Sequence, residues 1–434
     1  MGTSGAAEHR RRPAAPPRTT SGGLRFRSTE AVARTFASLS DRNYALFYAG
    51  QMLSLTGSWV EKPALSALAY DLTGQDEAWI SWIGIIPLIP TLLVSIPAGA
   101  YADRRDPRRF VIWTQTLMML GAAAMAALVF FGHCTIWHIA AYTAYSSGVF
   151  AADAAARQCL VVHLVPRERL TNAVALNASM FSVARFAGGA VYAALIRYTR
   201  LGNGGCIAMN AVSFGFVLAG LLMMRLTITP KPVTQIRRDP WAGIRYVWHT
   251  PAVRAALLIV CALSMFGFQI SQTLIVYAHK VWNVGQAGFG DLHAAAGLGA
   301  FLGSLTLATR ASNVHRGKMM LGYSAIAALF LCAFAAGPPF VAALFILAAG
   351  SFVMTQAQSA GNSLIQSTVP DELRGRVMSL YTLSVLASFP IGGFLAGFAA
   401  KTYGAPATTL VDAAVILAAV AVIAATHQTL RRTR

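Results

Sequence analysis

The chain alternates between long apolar runs and short charged or turn-forming breaks, and that alternation predicts its elements. Apolar runs of about 20 to 27 residues fall near 44–70, 79–102, 110–132, 137–160, 172–196 and 206–226, and again near 253–279, 288–309, 318–336, 340–363, 377–400 and 406–427. At 1.5 Å per residue such runs match a hydrocarbon layer of about 30 Å. A membrane β-barrel would instead alternate over segments of about 10 residues, a pattern the chain does not follow. The expectation is an all-α polytopic membrane protein with twelve transmembrane helices.

The breaks divide the runs into two sets of six. Residues 1–40 hold Arg10, Arg11, Arg12 and three prolines without an apolar run, and read as a disordered basic cytoplasmic tail. Residues 41–226 form a first six-helix bundle, 227–252 a cytoplasmic linker with a short surface helix at Trp241 to Trp248, 253–427 a second bundle, and 428–434 a short tail. Val165-Pro166 recurs as Val369-Pro370, Glu168 as Glu372, and Gly188-Gly189 as Gly392-Gly393, each 204 positions on. One constant offset argues for duplication of a six-span unit.

Composition strengthens the membrane reading. Hydrophobic residues make up 56% of the 434, charged residues only 12%, and the mean hydropathy is +0.55. A net charge of +19 would suit nucleic acid, but most of the Lys and Arg sit in the tails and loops of one side. That is the positive-inside asymmetry, which puts both termini in the cytoplasm and excludes a nucleic-acid partner. The five cysteines show neither CxxC nor metal spacing, so no metal or cofactor is expected.

The sharpest break is Gly99-Ala-Tyr-Ala-Asp-Arg-Arg-Asp-Pro-Arg-Arg109, with four arginines and two aspartates in eleven residues. Gly99, Ala102, Asp103, Arg104 and Arg108 match a loop signature of the major facilitator superfamily, while Tyr101, Asp106 and Pro107 depart from it. Asp106 in a glycine's place resembles the subgroup of enterobactin and macrolide exporters. So do Asp41-Arg42-Asn43-Tyr44, Gly243 to Trp248, and Val369 to Ser379. The resemblance spans roughly 41–427 and implies two bundles rocking about a central cavity, with Asp103, Arg104, Arg108 and Gly99 as a conformational gate. The exporters' glycine- and proline-rich span 5 motif survives here only as Ala184, Gly188, Gly189 and Ala193.

Candidate chemistry lies inside the runs. Gln51, Ser54, Ser58 and Glu61 are spaced 3, 4 and 3 apart, along one helical face. An intramembrane carboxylate is costly, so Glu61, beside Lys62 and Pro63, is read as a proton or substrate site, with a structural ion pair as its rival. Asp153 and Arg157 stand at an i,i+4 spacing that favours an intrahelical pair, with direct gating or a part in proton or substrate coupling as the rival reading. Arg185 needs a partner, expected to be Glu61, Asp153 or an anionic substrate. Gln272 in span 7, and Ser351, Thr355, Gln358 and Asn362 in span 10, read as neutral cavity lining or helix-helix hydrogen bonds.

No P-loop lysine motif, HExxH or nucleophile elbow is present, so no enzyme is expected and the energy source must be a gradient or the substrate itself. The expectation is a monomeric, proton-coupled exporter of a hydrophobic or amphiphilic small molecule in the inner membrane. Import, lysophospholipid flipping and a non-transporting scaffold or sensor are the alternatives.

Overall fold

The computed structural model describes residues 37–104, 106–224, 241–309 and 315–426. The expected N-terminal tail lies largely outside these residues, as do Arg105, the first part of the linker and the last eight residues. Helices α1 (Arg42–Leu72), α2 (Glu77–Ile85), α3 (Leu88–Arg104), α4 (Pro107–Phe130), α5 (Ile136–Leu164), α6 (Leu170–Tyr198) and α7 (Gly202–Met223) come first. The short α8 (Ala242–His249) sits where the linker helix was expected. Then follow α9 (Pro251–Val281), α10 (Gly285–Thr309), α11 (Arg316–Ala335), α12 (Phe340–Thr368), α13 (Asp371–Tyr403) and α14 (Ala405–Thr426). Among the described residues no strand occurs.

Nine of these stretches are long and apolar enough to cross a membrane, α2 and α3 counting together. Three further helices, α1, α5 and α10, are also of span length. They are the helices that carry Glu61 with Lys62, Asp153 with Arg157, and Asp291 with His293. Polar residues on helices of this length need protein or water around them, so these three are the first places to look for a site.

Local chemistry explains the breaks. After α1 the chain turns through Gly74 (φ 64°) and Gln75 (φ 68°), left-handed conformations that end a helix. Asp76 then caps α2, its carboxylate accepting from the Ala78 amide at 2.9 Å. At the expected gate, Asp106 caps α4 by accepting from the Arg108 amide at 2.9 Å, with Pro107 at the first helical position. Two of the three residues that depart from the superfamily signature, Asp106 and Pro107, therefore build a helix start. Inside α9 the backbone widens into π turns at Leu263–Gly267 and Tyr277–Val281, on either side of Gln269.

Contacts between the earlier and later helices gather at the end of the molecule that carries the Gly74 turn. Helix α6 runs along α10, and a Cβ on Gly189, Gly290 or Gly297 would strike the facing backbone. Helix α13 lies along α2 but barely touches α3, so the two separate toward the Asp106 end.

Candidate functional site

On α1 the polar stripe does share one face, and that face turns to α7. Gln51, Ser54 and Glu61 are all buried. The Asn210 side-chain amide donates to Glu61 Oε2. Ser58 Oγ donates to the Ser54 carbonyl at 3.0 Å and lies 3.4 Å from Asn210 Oδ1, which Ser213 Oγ also approaches at 3.2 Å. Tyr142 of α5 lies against the same carboxylate. Helices α1 and α7 come this close because Gly57 faces Asn210 and Ser213, leaving no room for a Cβ.

One residue on, about 100° around the helix, Lys62 points elsewhere. Its Nζ lies 4.1 Å from the Trp59 ring centroid, and Arg185 Cζ of α6 lies 5.5 Å from the same centroid. Pro63 has no amide proton to give the Trp59 carbonyl, so the helix is weakened at this level. The Lys62 side chain is more than a third exposed, so it is not sealed into the packing around Trp59.

Arg185 does not meet Glu61 or Asp153. Among the described residues no carboxylate lies within ion-pair distance of it, because both expected partners are already engaged. Asp153 Oδ1 accepts from Thr114 Oγ1 at 2.7 Å and Gln115 Nε2 at 3.0 Å. Arg157 Nε stands 2.7 Å from Asp153 Oδ2, an ion pair by distance without the angle of a hydrogen bond. Both side chains are almost wholly buried. The i,i+4 pairing read from the sequence is thus present and tied to α4.

The later helices hold a counterpart to the Glu61 pair. Gln269 of α9 donates its side-chain amide to Asp412 of α14, and both are buried. Helices α1 and α7 are the first and last of the earlier set; α9 and α14 hold those places in the later set. Each set therefore ties its first and last helix with one carboxylate and one carboxamide, in swapped positions. Sequence reasoning passed over Asn210 and Asp412, although a lone aspartate in an apolar run was a sufficient signal.

Gln272 lies between α2 and α13, against Gly84 and Gly393. Asn362 Oδ1 accepts from Gln366 at 2.9 Å, and Gln358 is partly exposed one turn away. Thr355 donates to the Ser351 carbonyl at 2.8 Å, so part of that stripe is spent within its own helix.

At the expected gate, Arg108 Nε donates to the Leu221 carbonyl at 3.0 Å and its Nη2 to the Leu222 carbonyl at 3.3 Å. It thereby satisfies carbonyls in the last turn of α7, where a cation also suits the helix dipole. A Cβ on Gly99 would meet nothing within 4 Å, so close packing does not require that glycine here. Helix α3 runs through Asp103 and Arg104, whose side chains lie outside the described set.

At the other end, ion pairs and hydrogen bonds join the earlier helices to the later ones. Glu77 pairs with Lys280. Lys401 meets Asp76 at 2.9 Å, Arg197 meets Asp291 at 2.6 Å, and Gln286 donates to Asp71 at 2.5 Å. Trp82 packs edge-on against Phe394 and Phe398 beneath them. The Lys401 ammonium, with the Ala78 amide second, holds the Asp76 carboxyl below its ordinary range.

Comparison with known proteins places this geometry. The family described as transmembrane secretion effector matches residues 33–433. The multidrug efflux pump Tap of Mycolicibacterium fortuitum is 24% identical over 354 residues, covering 79% of this chain and 85% of Tap. The enterobactin exporter EntS of Salmonella typhimurium is 28% identical over 245 residues, covering 54% of this chain and 56% of EntS, so that match spans about half of each protein. Among solved structures, the nucleoside transporter NupG superposes with a TM-score of 0.66 at 14% identity, over 88% of this chain and 98% of NupG. A bacterial homolog of the human lysosomal transporter Spinster, inward-facing and unoccupied, gives 0.66 at 13% identity over 90% and 97%. At these identities the structural likeness speaks for the fold alone.

Proposed function

This chain belongs to the transmembrane secretion effector family of the major facilitator superfamily, and we propose that it is a secondary transporter expelling a hydrophobic or amphiphilic small molecule in exchange for protons. In this reading twelve spans form two six-helix bundles in the cytoplasmic membrane, joined by the linker, with both termini in the cytoplasm. The Gly74 end, whose loop to α2 carries acids but neither Lys nor Arg, is then the outer face. The molecule stands closed outward, and the Asp106 end is where the bundles part.

The observation that carries the reading is the one-sided closure around an interior acid. Among the described residues, three ion pairs and a hydrogen bond join the bundles at the Gly74 end of the α2–α13 contact, above Glu61, and none does so at the Asp106 end. Alternating access requires two states that bind substrate and proton differently, and a buried carboxylate supplies the protonatable group. Glu61 is assigned that role; Asp153, locked to Arg157, is assigned to holding α5 against α4. The outward direction leans on Tap and EntS, whose names describe an efflux pump and an exporter.

Purified protein in proteoliposomes under an imposed pH gradient, offered a panel of dyes, siderophores and lysophospholipids, tests this. The expected result is gradient-driven movement of at least one compound, in the direction opposite to proton flow. Movement in the same direction as protons would make the protein an importer, and no gradient-driven movement of any compound would remove the coupling.

A further inference from the structure

Lys62 of α1 and Arg185 of α6 meet around Trp59, and His293 comes from α10, which packs along α6. Both cations lie over the indole, and each also acts electrostatically on His293. The His293 ring stands edge-on to Phe289 at 4.7 Å, and its Nε2 is buried without a hydrogen-bond partner. Gly188 lets Trp59 approach α6, and Gly189 lets α6 approach the backbone at His293 and Ala294. The cluster is thus fixed by close packing of backbone, on rigid helices.

What it lacks is a carboxylate at contact distance. Asp153 and Asp291 are paired with Arg157 and Arg197, and Glu61, one residue from Lys62, acts on it only through space and turns its carboxylate to Asn210. Among the described residues, neither Lys62 nor Arg185 has a carboxylate within ion-pair distance. Two like charges held close in a low-dielectric interior repel strongly. A cation over an indole recovers only about 0.5–2 kcal/mol. Natural interiors seldom leave such a pair uncompensated, and here Lys62 is exposed enough for a ligand to reach it.

We propose that Lys62, Arg185 and His293 form a binding site for an oxyanion carried by the transported molecule: a carboxylate, phosphate or sulfonate. An ammonium and a guanidinium from two helices can share its oxygens, the guanidinium in the forked geometry that suits planar or tetrahedral oxyanions. His293 Nε2 offers a third donor in its NH tautomer. The cluster joins α1 and α6 to α10, so an anion held there contacts both sets of helices. This proposal rests on the transport reading and narrows its substrate to amphiphilic anions.

Equilibrium binding without any gradient separates it from coupling. Full-length protein in neutral detergent is titrated with carboxyfluorescein and with rhodamine 6G, two xanthene dyes of opposite charge, and read by fluorescence anisotropy. The expected result is preference for carboxyfluorescein, weakened about tenfold in Lys62→Gln and in Arg185→Gln but retained in Arg185→Lys, with rhodamine 6G binding no weaker. Monodisperse elution of each variant shows that it is folded, and Lys62→Arg, which keeps the charge, is expected to keep binding should Lys62→Gln not fold. Competition by lysophosphatidylglycerol or by inorganic phosphate identifies a lipid headgroup or a free anion as the better ligand. Preference for rhodamine 6G, undiminished carboxyfluorescein binding in both glutamine variants, or displacement by neither competitor would overturn the proposal. Anion binding that persists while no compound moves under a pH gradient would instead leave the site standing and remove the coupling.

Discussion

At the scale of single residues, the interior is a set of charges with assigned partners, and the exceptions carry meaning. Asp153 is the fully committed case, holding Arg157, Thr114 and Gln115 together. Removing one member of a buried pair strands the other, at a cost of about 3–5 kcal/mol. Arg157→Ala should therefore lower the thermal midpoint sharply, while Asp153→Asn combined with Arg157→Gln recovers most of the loss; equal loss in both would show that the pair is not what holds α5. The Asp153–Arg157 pair and the Gln51 to Glu61 face were readable from spacing alone. The partners of Glu61 and Arg185 were not, since a spacing rule acts within one helix and Asn210, Trp59 and His293 come from other turns or other helices.

For the helices, sequence and structure agree on where most of them lie and differ on length and ends: the run expected at 79–102 is split into α2 and α3, and α13 runs from Asp371 to Tyr403 against an expected 377–400. The break at Asp106-Pro107 looked like damage to a known loop signature, yet it supplies an N-cap and a pre-set first helical residue for α4. Asp106→Ala should cost about 0.5–2 kcal/mol, the usual loss for an N-cap. Asp106→Asn, which still accepts from the Arg108 amide, should cost little, as thermal unfolding in detergent would report. Arg108→Ala has a different consequence, freeing the Leu221 and Leu222 carbonyls, and hydrogen exchange should rise at the end of α7 rather than in α4. The π turns flanking Gln269 had no sequence signal, because they depend on how α9 packs against α13 and α14. The same holds for Gly189 and Gly297, whose need for a missing Cβ arises only where α6 meets α10.

Over the whole molecule, the closure at the Gly74 end is held by contacts that are individually weak. Each of the ion pairs Glu77–Lys280, Asp76–Lys401 and Arg197–Asp291 has a basic partner about half exposed, so each contributes about 0.2–1 kcal/mol and the three together about 0.6–3 kcal/mol. A gate of that strength can open within a transport cycle. Lys280→Ala with Lys401→Ala and Arg197→Ala should shift spin-label distances across the Gly74 end toward longer values, and exchanging the charges of Glu77 and Lys280 should restore much of the short population. The Asp76 carboxyl is held below its ordinary value, so its contribution is present above that value, near pH 4, and is lost as pH falls through the lowered one. Acidification to pH 5 should leave the distances unchanged through this residue, and weakening should begin only below about pH 4.

In the proposed mechanism Glu61 is the group that links proton movement to substrate movement. The direct measurement compares wild type and Glu61→Gln in proteoliposomes, recording both accumulation under a pH gradient and exchange of labelled for unlabelled substrate at equal pH on both sides. The account predicts that Glu61→Gln keeps the exchange and loses the accumulation, since the bundles still rock but no longer carry a proton. Accumulation equal to wild type, with the same pH profile, would contradict it.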